Sequence, residues 1–369
     1  YEIGVRLVGS EMCIRDRRYA DDIRAELPEV DGIMGTGSYS EVVSVVEAVL
    51  AGDKPTRRGA ISAPLYDTPR AVSTGPNWAY LRIAEGCDNR CAYCVIPSLR
   101  GKFRSRTKES ILEEARLLAA SGVKELIIVA QDITRYGIDL YGKVCLTELL
   151  KELCKLDFRW VRLHYLYPEL IDDELIDEIA SEDKIVKYLD IPIQHINDTI
   201  LRRMNRRGTG EEIRALFKKL RERIPSLVLR TSLITGLPGE GEAEFEELCD
   251  FLREAKIERA GVFPYSPEEG TPAALMPDRC STEEAQRRAE LCMEIQAEIM
   301  DGFAETFIGR ELDVLVMGRE PDGTPWGRSE YDSPDIDSRV IFSGDAAPGD
   351  MVRVRIDSVD DGELIGEQI

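Results

Sequence analysis

A chain of 369 residues with 43% hydrophobic content is long enough for two or three domains and a substantial core. Its formal charge of −21 excludes a broad nucleic-acid surface, which needs clustered Lys and Arg to replace phosphate counterions. No apolar run approaches the length that spans a bilayer. Nine cysteines outside any secreted-type framework point to a reducing, cytoplasmic setting and a metal site.

Residues 1–17 show no helix or strand period and read as a foreign segment fused ahead of the protein. From Arg18 the pattern becomes regular, with a helix end over Tyr19–Leu27, a short strand over Val30–Gly35 and a helix over Tyr39–Leu50. Residues 18–57 therefore read as the remnant of a small α/β domain, and 58–76 as a Pro-, Gly- and Thr-containing linker. Six apolar strand-like runs follow: Tyr80–Ala84, Glu125–Ala130, Trp160–Tyr165, Tyr188–Ile193, Leu227–Ile234 and Ala260–Pro264. Helical patterns such as Ile111–Ala120, Leu146–Leu156, Glu211–Ile224 and Glu242–Ala255 lie between them. Alternating strand and helix predicts a parallel sheet with right-handed crossovers, here an open (β/α)6 barrel over residues 77–303. A long helix from about Glu283 to Phe307 closes it. Leu312–Met317, Arg339–Phe342, Met351–Asp357 and Leu364–Gln368 then predict a small β-barrel over 304–369.

The densest chemical signal is Cys87, Cys91 and Cys94, a CxxxCxxC triplet with Tyr93 just before the last cysteine. A structural zinc site wants four ligands, and an ordinary iron–sulfur cluster takes four cysteines. Three thiolates holding a four-iron cluster leave one iron open. Free cysteine also serves as a small core hydrophobe, but Asp88, Asn89 and Arg90 make this run a polar loop. The loop follows the first strand, at the strand ends where α/β barrels build their sites.

Other positions are weighed the same way. Gln131 and Asp132 end the second strand and face the barrel mouth, unless Asp132 caps a turn. Gln194 and His195 end the fourth strand, where a lone histidine is more often a hydrogen-bonded structural residue. Gly236, in Gly236-Leu237-Pro238-Gly239-Glu240, permits close approach of a flat ligand and equally suits a strand-to-helix turn. Tyr265 and Ser266 end the sixth strand. Arg100, Lys102, Arg104 and Arg106 read as a solvated loop, and Cys154, Cys249 and Cys292 as core fillers.

Together these motifs resemble the methylthiotransferases, radical S-adenosylmethionine (SAM) enzymes, and within them the RimO type. The resemblance rests on Glu85–Cys94, Ile96–Gly101, Gln131–Gly137, Leu163–Pro168, Asp190–His195 and Tyr265–Pro272, and the tail looks like a TRAM domain. It implies a [4Fe-4S] cluster on Cys87, Cys91 and Cys94 with SAM at the open iron. Tyr93, Gln131, Asp132, Gln194, Gly236 and Tyr265 become the candidate SAM contacts. It also implies reductive cleavage of SAM to a 5′-deoxyadenosyl radical, which takes hydrogen from the β-carbon of an aspartate in ribosomal small-subunit protein twelve. A flavodoxin-like or ferredoxin-like protein would supply the electron. The family's second cluster sits on three N-terminal cysteines. Cys13, in the foreign-looking segment, is not assigned that role, so this chain is expected to bind one cluster.

Two alternatives remain. A tRNA adenosine methylthiotransferase predicts a basic TRAM domain, whereas residues 305–369 hold sixteen Asp and Glu against six Arg and no Lys, a net of −10. A non-catalytic iron–sulfur protein predicts a fourth protein ligand and no SAM pocket. The acidic tail, including Asp332, Asp335 and Asp337, is expected to face a basic protein partner rather than RNA.

Overall fold

The computed structural model describes residues 19–61, 71–75 and 77–369; the segment 1–17 with Cys13, and positions 62–70 and 76 of the expected linker, lie outside the described residues. The chain divides into two compact units. Of the described residues, the first holds 19–61, Glu85–Arg90 and Cys94–Arg104. In it, α1 (Ala20–Glu26) and α2 (Val42–Leu50) accompany a two-stranded parallel pair, β1 (Ile33–Met34) and β2 (Thr56–Arg57). Arg24 ties α1 to this pair by donating to the Val30 carbonyl at 2.7 Å and the Pro55 carbonyl at 3.1 Å. The short helix α3 (Ile96–Arg100) carries Pro97 in its first turn, where a missing N–H would be unsatisfied anyway.

The second unit comprises Arg70–Ala84, Cys91–Tyr93 and Ser105–Ile369. Its six-stranded sheet is β3 (Trp78–Arg82), β4 (Glu125–Val129), β5 (Trp160–Leu163), β6 (Ile185–Asp190), β7 (Val228–Thr235) and β8 (Arg259–Pro264). All neighbours are parallel and lie in chain order, the topology expected of an open (β/α)6 barrel. Crossover helices include α4 (Lys108–Ala120), α5 (Leu146–Leu153), α6 (Asp173–Ser181), α7 (Asp198–Arg203), α8 (Gly210–Arg223) and α9 (Glu242–Ala255). Their starts are chemically specified: Thr107 caps α4, Asn197 caps α7, and Thr209 forms a capping box with Glu212 on α8.

The two faces of the sheet differ sharply. One carries Leu126, Ile128, Val161, Leu163, Ile185, Leu189, Leu229 and Leu233, all fully buried. Each such side chain contributes about 1.5–3 kcal/mol by leaving water. The opposite face carries Glu125, Arg162, Tyr188, Asp190, Arg230 and Arg259, an ionic surface on which strand periodicity alone would place aliphatics.

The C-terminal module explains that polar face. The 24-residue helix α10 (Thr282–Glu305) leads into a closed barrel of β9 (Glu311–Arg319), β10 (Pro325–Arg328), β11 (Val340–Ser343), β12 (Met351–Asp360) and β13 (Glu363–Gln368). Four of these strands were legible. The fifth, β10, escapes the pattern because Pro325 and Gly327 interrupt it; Gly327 is needed because a Cβ would lie 2.4 Å from the Leu315 carbonyl oxygen. The loop after β10 lies on the ionic face of the sheet. Glu125 accepts from Arg162 Nε and Arg328 Nη2, each at 2.6 Å, with all three side chains at most 3% exposed. Arg259 donates to Asp332 at 2.9 Å, Tyr188 donates to Asp337 at 2.6 Å, and Ser333 Oγ lies 3.1 Å from His164 Nε2.

Asp332 and Asp337 are therefore not partner-facing surface charges, contrary to the sequence expectation; only Asp335 of the three is exposed. Counting charge in a sequence cannot separate carboxylates on the surface from those that neutralise a buried guanidinium. Arg106 likewise departs from the solvated-loop expectation: it is buried, pairs with Glu114 at 2.6 Å and donates to the Arg82 carbonyl. Removing one partner of a buried ion pair costs about 3–5 kcal/mol. Asp332→Asn should accordingly lower the unfolding free energy by that order in chemical denaturation, while Asp335→Asn should stay within about 0.5 kcal/mol of the parent; equal effects would contradict the placement.

His164 supplies a second test. Burial, with the Arg162 and Arg230 guanidiniums, pushes its imidazole down to about 3. The unfolded chain takes up a proton near pH 6.5 that the folded chain refuses until about pH 3. Between these values the unfolded state binds more protons, so stability falls as pH drops, by up to about 1.4 kcal/mol per pH unit. His164→Asn should flatten that slope in denaturant midpoints measured from about pH 8 down to 4, and an unchanged slope would assign it elsewhere.

Candidate functional site

The segment Cys91–Tyr93 is stitched into the second unit by backbone hydrogen bonds, the Ala92 amide donating to Met204 O at 2.8 Å and the Ala273 amide to Ala92 O at 2.9 Å. Ala92 packs with Ile200, Met204, Leu237, Tyr265 and Ala273, which carries the neighbouring Tyr93 to the C-terminal ends of the sheet strands. There a cavity of about 190 Å³ is lined by Tyr93, Gln194, Ile234, Phe263, Pro264, Tyr265 and Ser266. Three of the sequence-predicted residues, Tyr93, Gln194 and Tyr265, thus share one wall. Gln194 is held there in a left-handed conformation (φ 71°), its amide on Ser232 O and its carbonyl accepting from Ile234.

Gly236 and Asp132 are not among the residues that line this cavity. Asp132 is fully buried and caps the turn Ile133–Arg135, accepting from the Thr134 amide at 3.1 Å and from its hydroxyl. Gly236 opens the turn after β7 at φ 74°, and a Cβ there would stand 2.4 Å from the Ala285 Cβ. Its amide donates to Glu240 at 2.9 Å, and Glu240 in turn receives Arg288 of α10 at 2.9 Å. His195 stands 3.4 Å from the same carboxylate and accepts from the Asn197 amide through Nδ1. Burial pushes the Glu240 carboxyl up, but His195, the Gly236 amide and Arg288 outweigh it and hold the group below its usual range. The loop 236–240 is thereby clamped from behind.

Cys91 is buried, whereas Cys87 and Cys94 are partly exposed. Two groups aim at the Cys91 sulfur, Tyr167 Oη at 3.7 Å and Arg206 Nη1 at 3.8 Å. Neither was singled out from sequence; Tyr167 lies within a recognised motif, while Arg206 looks like one arginine in a basic run. A positive charge and a hydroxyl directed at sulfur suit a metal-bound thiolate. The Cys87 sulfur accepts from the Asn89 amide at 3.5 Å, and the turn before it needs Gly86 (φ 84°), since a Cβ would meet the Lys102 carbonyl at 2.3 Å. Among the described residues no three His, Cys, Asp or Glu side chains converge as ligands of a single ion. A cubane asks for something else, one thiolate per iron, and the chain supplies three thiols of that kind within eight residues of sequence, Cys87, Cys91 and Cys94.

Comparison with known proteins decides the family. The radical SAM superfamily profile matches residues 81–252 and the TRAM domain profile matches 308–369. The RimO ribosomal protein uS12 methylthiotransferase of Caldanaerobacter subterraneus subsp. tengcongensis is 47% identical, over 96% of this chain and 82% of that protein. The RimO protein of Pelotomaculum thermopropionicum is 49% identical, over 96% of this chain and 81% of its own length. The chain belongs to the RimO family. It is a radical SAM enzyme, and its radical SAM domain implies a [4Fe-4S] cluster and SAM. The six parallel strands and the closed C-terminal barrel are the two parts expected of such a RimO-family chain. Among the described residues no helix is long and apolar enough to cross a membrane.

The Glu240–Arg288 clamp is testable without any cofactor. Arg288→Met leaves a buried carboxylate without its guanidinium and should cost about 3 kcal/mol in denaturant unfolding, with Arg288→Lys recovering part. Wild-type stability in Arg288→Met would show that the pair does not hold the loop.

Proposed function

We propose that this chain is a radical SAM methylthiotransferase that adds a methylthio group to the β-carbon of an aspartate in ribosomal protein uS12. The carrying observation is the loop of Cys87, Cys91 and Cys94, with no other cysteine from residue 18 to 144 to act as a fourth local ligand. The RimO relatives act on uS12 by name, and the acidic C-terminal barrel favours a basic protein over a phosphate backbone. Even with Asp332 and Asp337 buried, Asp322, Asp345, Asp350, Asp360 and Asp361 remain exposed. This charge also counts against the tRNA-modifying alternative.

When bound, the cluster and SAM supply one-electron chemistry that activates an unreactive C–H bond. The chain's own residues bind, orient and shield. Cys87, Cys91 and Cys94 would each hold one iron of the cluster. Tyr93, Gln194 and Tyr265 wall the cavity against water, with Gln131 at the end of β4 and the Gly236 backbone as further SAM contacts. Asp132 acts indirectly, by fixing Thr134, whose Oγ1 in turn accepts from the Tyr167 amide at 3.4 Å. A low-potential flavodoxin-like or ferredoxin-like protein is the proposed donor. The cluster that binds SAM is assigned to Cys87, Cys91 and Cys94.

Anaerobic reconstitution with iron, sulfide, dithionite and SAM tests the reading. The wild-type chain should bind about four irons and release 5′-deoxyadenosine, and Cys87→Ala, Cys91→Ala or Cys94→Ala should each reduce release to background. Retention of the cluster spectrum and of SAM cleavage in any of the three would remove that residue from the site.

A further inference from the structure

We propose that Arg206 and Tyr167 set the reduction potential of the cluster by donating hydrogen bonds to the Cys91 sulfur. The inference rests on Cys91 being a cluster ligand and adds to it two positioning residues with a definite electronic task. Arg206, just after α7, is fixed on three sides. Its Nη2 donates to Pro192 O at 2.6 Å, its guanidinium lies 4.2 Å from the Tyr167 ring centroid, and its Nη1 stands 3.8 Å from the Cys91 sulfur. Its Nε is buried without a hydrogen-bond partner, so the group has given up solvation to hold this pose. Tyr167 is held through its amide on Thr134 and by the stacked guanidinium, and its Oη reaches the same sulfur at 3.7 Å.

A thiolate bound to iron has no proton to give, so both contacts must run from Tyr167 and Arg206 to sulfur. Reduction adds one electron, taken from an external low-potential donor, to a cluster whose negative charge is shared with its ligand sulfurs. A full positive charge and two donors at one sulfur stabilise the reduced form more than the oxidised form. Removing them makes the cluster harder to reduce. A purely structural role, in which Arg206 only caps Pro192 and packs on the ring, would leave the potential where it is.

The test is a spectroelectrochemical titration of reconstituted full chains after iron analysis has shown equal cluster content. Arg206→Met should lower the reduction equilibrium constant about tenfold, which is about 59 mV for a one-electron couple. Tyr167→Phe should shift it in the same direction by less, and Arg206→Lys should recover part of the Arg206→Met loss. An unmoved or raised potential in both Tyr167→Phe and Arg206→Met overturns the inference. If Arg206→Met fails to keep its cluster, the conservative Tyr167→Phe decides alone. A wild-type chain that takes up no iron would instead sink the assignment of Cys91, and iron analysis separates that failure from this one before any titration begins.

Discussion

Glu125 receives a guanidinium on each of its two oxygens, Arg162 from the neighbouring strand and Arg328 from the C-terminal barrel, with none of the three open to water. Taking such charges out of water costs several kcal/mol per ion unless geometry and hydrogen bonding compensate. The compensation comes from two domains at once. Arg328 reaches Glu125 only when β10 and the following loop lie on the sheet, and that placement also brings Asp332 to Arg259 and Asp337 to Tyr188. The polar face of the sheet is stable because the C-terminal barrel completes it. Without that cover it would expose Trp160, Val186, Tyr188 and Val228, which now pack against Leu315.

At the other end of the strands the same logic serves chemistry rather than assembly. Asp132 takes up Thr134, Thr134 takes up Tyr167, and Tyr167 with Arg206 addresses Cys91. Each member is held by the one before it, so the orientation at sulfur is inherited from a buried cap at the end of β4. A neighbouring set, His195, Glu240 and Arg288, holds the loop after β7. The mouth of the sheet is therefore braced by hydrogen bonds and ion pairs among its own side chains, the support a site needs if its contacts are to stay put.

How much of this was legible depended on whether the signal was periodic. The six sheet strands could be read because their helix-covered faces are aliphatic and interleaved with amphipathic helices. Cys87, Cys91 and Cys94 stood out as a candidate ligand set because ligand spacing is local. Gln194 and Tyr265 were singled out by a simpler rule, that strand ends line the mouth, and Tyr93 by its place before the last cysteine of the triplet; one cavity is lined by all three. The same rule named Asp132 without being able to tell a cap from a contact, since both place a carboxylate at a strand end. What stayed hidden was long-range pairing. Arg206 meets Cys91 across 115 positions and Arg328 meets Glu125 across 203, and nothing in the intervening sequence marks either pair. Asp332 and Asp337 were misread for the same reason.

Helix α10 joins the two themes. Near its start Arg288 grips Glu240 behind the loop 236–240, and at its far end Ala304 and the following Phe307 enter the core of the C-terminal barrel. Between them Gln296 donates to the Ile257 carbonyl at 2.8 Å, so the middle of the helix is pinned to the connection that enters β8 as well. Twenty-four helical residues make a strut about 36 Å long. A TRAM barrel on a flexible tether would sample many positions and lose entropy each time it presented a partner to the site. One fixed by α10 and by the Glu125 and Asp332 pairs has met that cost during folding. Its exposed carboxylates then keep a constant position relative to the sheet, so under the proposed function charge attraction would act on the orientation of a basic partner as well as on its rate of arrival.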